Sequence, residues 1–200
     1  QDWPLLEKVS EAGKPVIIST GGLTIQEIDK IVSFFDKRAV QYALQHCVGI
    51  YPTPNNQMYL NQIELMHNRY PHLTIGFSTH EAPDNFTPIR VAYAKGARMY
   101  ERHVGVATDV IKLNAYSSTP EQVAKWVEAW KEAVEACGAE GGKMVTQKEL
   151  DDLNSLKRGV YVRRDITAGT PITRADVFFA MPILAGQLQS GRFRDGIVTD

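Results

Sequence analysis

Two histidines stand where a short apolar run gives way to polar loop: His80 in LTIGFSTHEAPDN and His103 in ARMYERHVGV. Imidazoles ending neighbouring strands could share a borderline divalent cation, with positions left open for water and a substrate carbonyl. The plainer reading is two strand-end rings hydrogen-bonded to backbone. His46, in LQHCVGIYPTP, ends another such run. It could serve as a general acid or base near neutrality, or it could be a satisfied core histidine. Ser19 and Ser78 offer hydroxyls at strand ends, which suit a phosphoryl oxygen, although a loop serine also bonds its own turn. His67 and His72 fall on the helix side and read as surface.

To converge, these groups need strands that run the same way. KPVIIST (14–20), AVQYALQHC (39–47), LTIGFS (73–78) and ARMYERH (97–103) read as strands. TIQEIDKIVSFFDK (24–37), LNQIELMHNRY (60–70), FTPIRVAYAKG (86–96) and TPEQVAKWVEAWKEAVEAC (119–137) read as helices. Thr24 with Glu27, and Thr119 with Gln122, make capping boxes, and Pro120 takes a first helical position. Ile25, Ile28, Ile31, Val32 and Phe35 share one helix face. Val123, Trp126, Val127, Trp130 and Val134 form another stripe, read as core. Alternating strands and helices imply parallel pairing through crossovers. Four units fit half of a (β/α)8 barrel or part of an open doubly wound sheet. Ser19, His46, Ser78 and His103 all stand at C-terminal strand ends, which favours the barrel. Glu101, just before His103, is expected to face the other way on its strand, and Arg102 to face the helices if His103 points inward.

After Cys137 the pattern changes. GAEGGKM is a break, and TQKELDDLNSLKR (146–158) is a charged helix or linker with a capping box at Thr146 and Glu149. Residues 156–200 alternate short β-rich runs with turns. The expected division is 1–140, then a linker over 141–157, then a small β-rich domain over 158–200.

Composition sets bounds on partners. In 200 residues the formal charge is −1, so no broad positive field marks a nucleic-acid partner. No apolar run approaches the roughly 18 residues that span a bilayer, so no membrane is expected. Two cysteines without metal or redox spacing fit a reducing cytoplasm. The opening QDWPLLEKVSEAGK reads as a helix rather than a leader.

GKPVIISTGG, LQHCVGIYPTP, IGFSTH and YERHVGV, in that order, resemble the sialic acid synthase family, whose members condense phosphoenolpyruvate with an N-acetylated amino sugar. RGVYVRRDITAGTPITRADVFFA (158–180) resembles that family's C-terminal antifreeze-like (SAF) domain. The resemblance implies an α/β fold: strands five to eight of a (β/α)8 TIM barrel, followed by the SAF domain. On that reading the chain is an excerpt of a longer protein. The resemblance also implies that His80 and His103 bind a divalent metal, manganese or magnesium, which polarises the sugar aldehyde as a Lewis acid. Phosphoenolpyruvate then attacks through its methylene carbon, water adds, and phosphate leaves by C–O cleavage. Ser19 and Ser78 match phosphate-contacting serines, Tyr51 matches a pocket tyrosine, and His46 matches the histidine of the LHC motif. A homodimer is implied, with the SAF domain capping the partner's barrel.

Several positions depart from the family pattern. Glu81 stands where SDHT has its threonine, and Thr79 replaces the Asp. Gly49 replaces an asparagine. The family's sugar-binding Asp after the second histidine is missing, and Asn114, beside Lys112 and Tyr116, is the nearest polar substitute. Ala180-Met181-Pro182-Ile183 replaces an arginine-bearing segment, for which Arg192 and Arg194 are candidates. The departures gather on the sugar side, so an altered acceptor in cell-surface or spore-coat polysaccharide synthesis is the expected activity. A degenerate homologue that binds or assembles without turnover is the alternative. A Schiff-base aldolase is disfavoured, because none of the four strands ends in lysine.

Overall fold

The computed structural model describes residues 2–139 and 141–198. The chain divides into two units, Gln1–Gly138 and Ala139–Asp200. In the first unit, α1 (Trp3–Ser10) precedes four strand-to-helix repeats: β1 (Val16–Ser19), α2 (Ile25–Asp36), β2 (Tyr42–Cys47), α3 (Asn61–Arg69), β3 (Ile75–Thr79), α4 (Thr87–Ala94), β4 (Met99–Arg102) and α5 (Pro120–Cys137). The helices begin where their caps dictate. Thr24 Oγ1 accepts from Glu27 N at 3.3 Å while Glu27 Oε2 accepts from Thr24 N at 2.8 Å. Thr119 and Gln122 repeat this at α5, at 3.3 and 2.9 Å. Such a cap stabilises a helix by about 1 kcal/mol.

All four strands pair in parallel, in the order β1-β2-β3-β4. This is a curled half-barrel sheet, with β1 and β4 as its edges. Alternation divides its side chains between two faces. Ile18, Leu44, Ile75 and Phe77 point into the helix layer, where they meet Ile28, Ile31, Phe35, Ile63 and Met66. Burying each such side chain contributes about 1.5–3 kcal/mol. Ile17 lies on the other face and is 60% exposed. Gly76 shares that face, and a Cβ there would come within 2.8 Å of the Met99 carbonyl oxygen, so a larger residue would part β3 from β4.

Helix α5 departs from the expected stripe. Trp126, Ala129 and Ala133 are its buried residues, while Val127 is exposed. The small alanines let α5 approach closely, and Ile89 on α4 packs with Trp126 and Ala129 against Tyr100 and Trp130. A count that weights only large apolar residues finds Trp126 and Trp130 and misses the two alanines.

The second unit holds α6 (Gln147–Asn154), β5 (Gly159–Val162), β6 (Pro171–Ile172), β7 (Val177–Ala180) and β8 (Ile197–Val198). Thr146 caps α6 through Glu149 N at 3.2 Å, but Glu149 pairs with Lys143 rather than completing the expected box. Strands β5 and β7 pair antiparallel, as do β6 and β8. Ile172 and Val177 are buried, and Tyr161 stacks on Phe178 at 5.4 Å. No helix among the described residues is long and apolar enough to cross a membrane.

Candidate functional site

The C-terminal ends of β3 and β4 bring His80 and His103 together. Their ring centroids are 5.1 Å apart. His80 follows β3 on the face of Ser78, opposite the helix layer, and His103 follows β4 on the face of Glu101. The His80 ring is fixed from one side, with Nδ1 3.2 Å from the Val48 carbonyl oxygen and 4.0 Å from Cys47 Sγ. A bond of this kind sets the tautomer and leaves Nε2 for a ligand. The loop after β2 is held against the same residue, since Thr53 N donates to the His80 carbonyl oxygen at 2.9 Å.

Two tyrosines complete a cluster of rings. Tyr51 meets His80 edge-on at 4.5 Å and Tyr116 at 5.1 Å. Tyr116 lies 5.0 Å from His103 and 6.0 Å from His80. Tyr116 joins the site from the loop after β4, where no sequence motif marks it. Its loop is positioned by Asn114, whose Oδ1 accepts from Tyr116 N at 3.1 Å and Ser117 N at 2.8 Å. Asn114 thus spends its side-chain oxygen on its own turn.

Glu101 corrects an expectation. Positions 101 and 103 are two apart, so they share a face, and Glu101 lies with the site rather than away from it. Ser78 Oγ donates to Glu101 Oε1 at 3.1 Å. Arg102 does turn to the helix side, as expected, over Trp126. Burial is the main influence on His80, pushing its imidazole below the usual range; His103 pushes the same way, while Val48 and Glu101 pull it upward. A neutral ring is the form that ligates a metal. Ser19 is exposed at the end of β1, on the site face, and the hydroxyl of Tyr51 is the nearest atom to a side chain built at Gly49, 3.9 Å away.

His46 goes elsewhere. It shares a face with Leu44, so its ring enters the helix layer, stacks on Phe77 at 6.1 Å and places Nε2 2.7 Å from the Met58 carbonyl oxygen. The expectation that it points from the same barrel end as the site is therefore corrected: the satisfied core histidine is what the structure contains. His67 and His72 are exposed on the outer side, as expected, and His72 lies 3.4 Å from Asp36.

The donor set suits a divalent cation in part. His80 and His103 supply two imidazoles, but no group of three histidine, cysteine or acidic side chains among the described residues is close enough to hold one. A cation here would take its further ligands from elsewhere, such as water or substrate oxygens.

The NeuB family model matches residues 1–141. A crystal structure from Chromobacterium violaceum, of a protein assigned as spore coat polysaccharide biosynthesis protein E, superposes with a TM-score of 0.88 and 41% identity, covering 97% of this chain and 58% of that one. The N-acetylneuraminic acid (sialic acid) synthetase of Leptospira borgpetersenii, solved with citrate, gives a TM-score of 0.67 at 29% identity, over 77% and 54% of the two chains. The N-acetylneuraminate-9-phosphate synthase of Drosophila melanogaster is 27% identical over 88% of this chain and 53% of its own length. Other relatives are synthases of legionaminic and pseudaminic acids. The chain spans about half the length of the curated relatives it matches.

Proposed function

The chain belongs to the NeuB family, and from that premise we propose that its strand-end cluster takes part in condensing phosphoenolpyruvate with an N-acetylated amino-sugar aldehyde. The product is a nonulosonic acid destined for surface or spore-coat polysaccharide, made in the cytoplasm. The observation that carries this reading is the convergence of His80 and His103 at 5.1 Å on one face of the sheet.

In this scheme His80 and His103 hold a divalent cation, manganese or magnesium. When bound, that ion supplies Lewis-acid polarisation of the acceptor carbonyl. Ser19 on β1 presents its hydroxyl to the phosphate, and Ser78 does so by turning its O–H from Glu101 to a phosphoryl oxygen. Tyr51 and Tyr116 wall the acceptor side with rings, where the family has polar contacts. Residues 158–200 correspond to the SAF domain, acting on a partner copy in a homodimer. His46 supports the site from the core and has no contact with reactants. Asn114 shapes the loop of Tyr116.

The test is phosphate release from phosphoenolpyruvate by the full-length protein with manganese and a panel of amino-sugar aldehydes. Release that depends on an acceptor, and is lost in His80→Ala and His103→Ala, is expected. No release with any acceptor would overturn the catalytic reading. A second reading, binding without turnover, is favoured by the absence of a third side-chain donor among the described residues. It predicts manganese binding by calorimetry that His80→Ala abolishes, with no phosphate released.

A further inference from the structure

The two site histidines each adjoin one member of a buried ion pair. Glu81 follows His80, and Arg102 precedes His103. Arg102 Nη1 donates to Glu81 Oε1, and the two side chains are 3% and 0% exposed. Arg102 also donates from Nε to Ser118 Oγ at 2.7 Å, and its guanidinium lies 5.7 Å from the Trp126 ring. Ser118 N in turn donates to the His103 carbonyl oxygen at 3.0 Å, and Gly105 N to the Ser118 carbonyl oxygen at 3.0 Å. One buried pair therefore ties together the end of β3, the end of β4 and the loop that carries Tyr116.

Stability is a poor explanation for it. Desolvating two charges offsets most of their attraction, and well-packed apolar residues in their place are commonly neutral or better. Here the pairing is also incomplete: Glu81 Oε2 and Arg102 Nη2 have no hydrogen-bond partner among the described residues. What a guanidinium–carboxylate contact supplies over an apolar one is a fixed geometry. Glu81 is also one of the positions at which this chain departs from its family's SDHT pattern.

We propose that the Glu81–Arg102 pair is a brace that sets the separation of the His80 and His103 rings, making Glu81 and Arg102 positioning residues of the two-imidazole site. It acts from behind the sheet, through one peptide unit on each strand end. The inference rests on reading the two rings as a metal-binding pair.

Two variants of the full chain test it. Glu81→Gln keeps a hydrogen bond to Arg102 and loses the charge. The double variant Glu81→Leu/Arg102→Met fills the space with apolar atoms and removes the brace while leaving no buried charge. Each is measured for cooperative unfolding, for ring positions by crystallography and for Mn2+ binding by electron paramagnetic resonance. The double variant is expected to unfold cooperatively near the wild-type midpoint, with the rings displaced from their 5.1 Å separation and Mn2+ bound about 10–100-fold more weakly. Glu81→Gln is expected to fall between it and the wild type. A purely structural pair would leave ring separation and Mn2+ affinity unmoved in the double variant, and that result overturns the brace. Wild-type protein that binds no Mn2+ overturns the metal reading instead, and the ring positions then decide the brace alone. Should the double variant not fold, unmoved rings and full affinity in Glu81→Gln would also overturn it.

Discussion

The two faces of one four-stranded sheet are made differently. Towards the helices, Ile18, Leu44, Ile75 and Phe77 are at most 8% exposed and pack against Ile28, Phe35 and Met66. On the other face the edge strands leave Ile17 60% exposed and Ser19, Glu101 and His103 open to solvent, while Gln45, Ser78 and His80 from the inner strands are buried. The same strands supply both, so the division of labour is set by residue parity. One face holds the fold together, and the other gathers the groups that can do chemistry. The largest effect that sharpens this contrast comes from Phe35, which is fully buried. Phe35→Ala is expected to destabilise by about 3–5 kcal/mol in urea or thermal unfolding, a large share of a typical domain's 5–15 kcal/mol. His103→Ala, on the open face, is expected to change stability by less than about 0.5 kcal/mol while removing manganese binding. Similar losses from both changes would break the contrast.

Next comes a comparison of two histidines with the same local signal. His46 and His80 each end a short apolar run, yet one is enclosed by the helix layer and the other faces the site. His46→Ala removes the ring that stacks on Phe77 and leaves the Met58 carbonyl oxygen without its 2.7 Å partner. An orphaned buried acceptor costs about 1–3 kcal/mol, and that loss is expected in denaturant unfolding, with manganese binding retained. A variant that instead kept its stability and lost manganese would place His46 in the site after all.

Much of this was legible in the sequence, for physical reasons that also mark its limits. Strands and helices of the first unit appear where β-branched runs, capping boxes and spacing put them, because those signals are local. The convergence of His80 and His103 was legible as well, since both follow strand ends in one parallel sheet. What escaped was direction. Leu44 and Phe77 point to the core, so His46, in step with Leu44, must follow, whereas Ser78 and His80 cannot. Counting in twos from a known core residue would have found this, and would have put Glu101 beside Ser78. Ala129 and Ala133 on α5 escaped because alanine carries little signal for burial. Tyr116 depends on a long loop folding back from residue 104 to residue 118, and no local pattern reports that.

Acid sensitivity tests the enclosure of His46 in a further way. Burial lowers the affinity of the His46 imidazole for a proton, below the ordinary value of 6.5. The unfolded chain therefore binds this proton more readily than the folded one. Above pH 6.5 both states are neutral at this site and its contribution is constant; as pH falls through 6.5 the unfolded state gains the proton first and stability drops. The slope cannot exceed about 1.4 kcal/mol per pH unit for one proton. His80 shares the direction, so the contribution of His46 is read as the difference between wild type and His46→Gln. Unfolding midpoints measured from pH 7.5 to 5 are expected to converge as pH falls. Parallel curves would show that His46 keeps its ordinary affinity and that the ring is not held neutral by the core.

The smallest effect tests the open face directly. Ile17 is apolar, lies between helix-facing Val16 and Ile18, and yet points away from the helices. Ile17→Thr keeps the β-branched shape that suits a strand and exchanges one methyl-bearing arm for a hydroxyl. An edge position open to water should register that exchange as less than about 0.5 kcal/mol, measured by urea unfolding at two protein concentrations. If another layer covers the face in solution, the hydroxyl is buried without a partner and the loss rises to about 1–3 kcal/mol. Dependence on protein concentration would identify that layer as a second copy, since only an intermolecular cover responds to mass action.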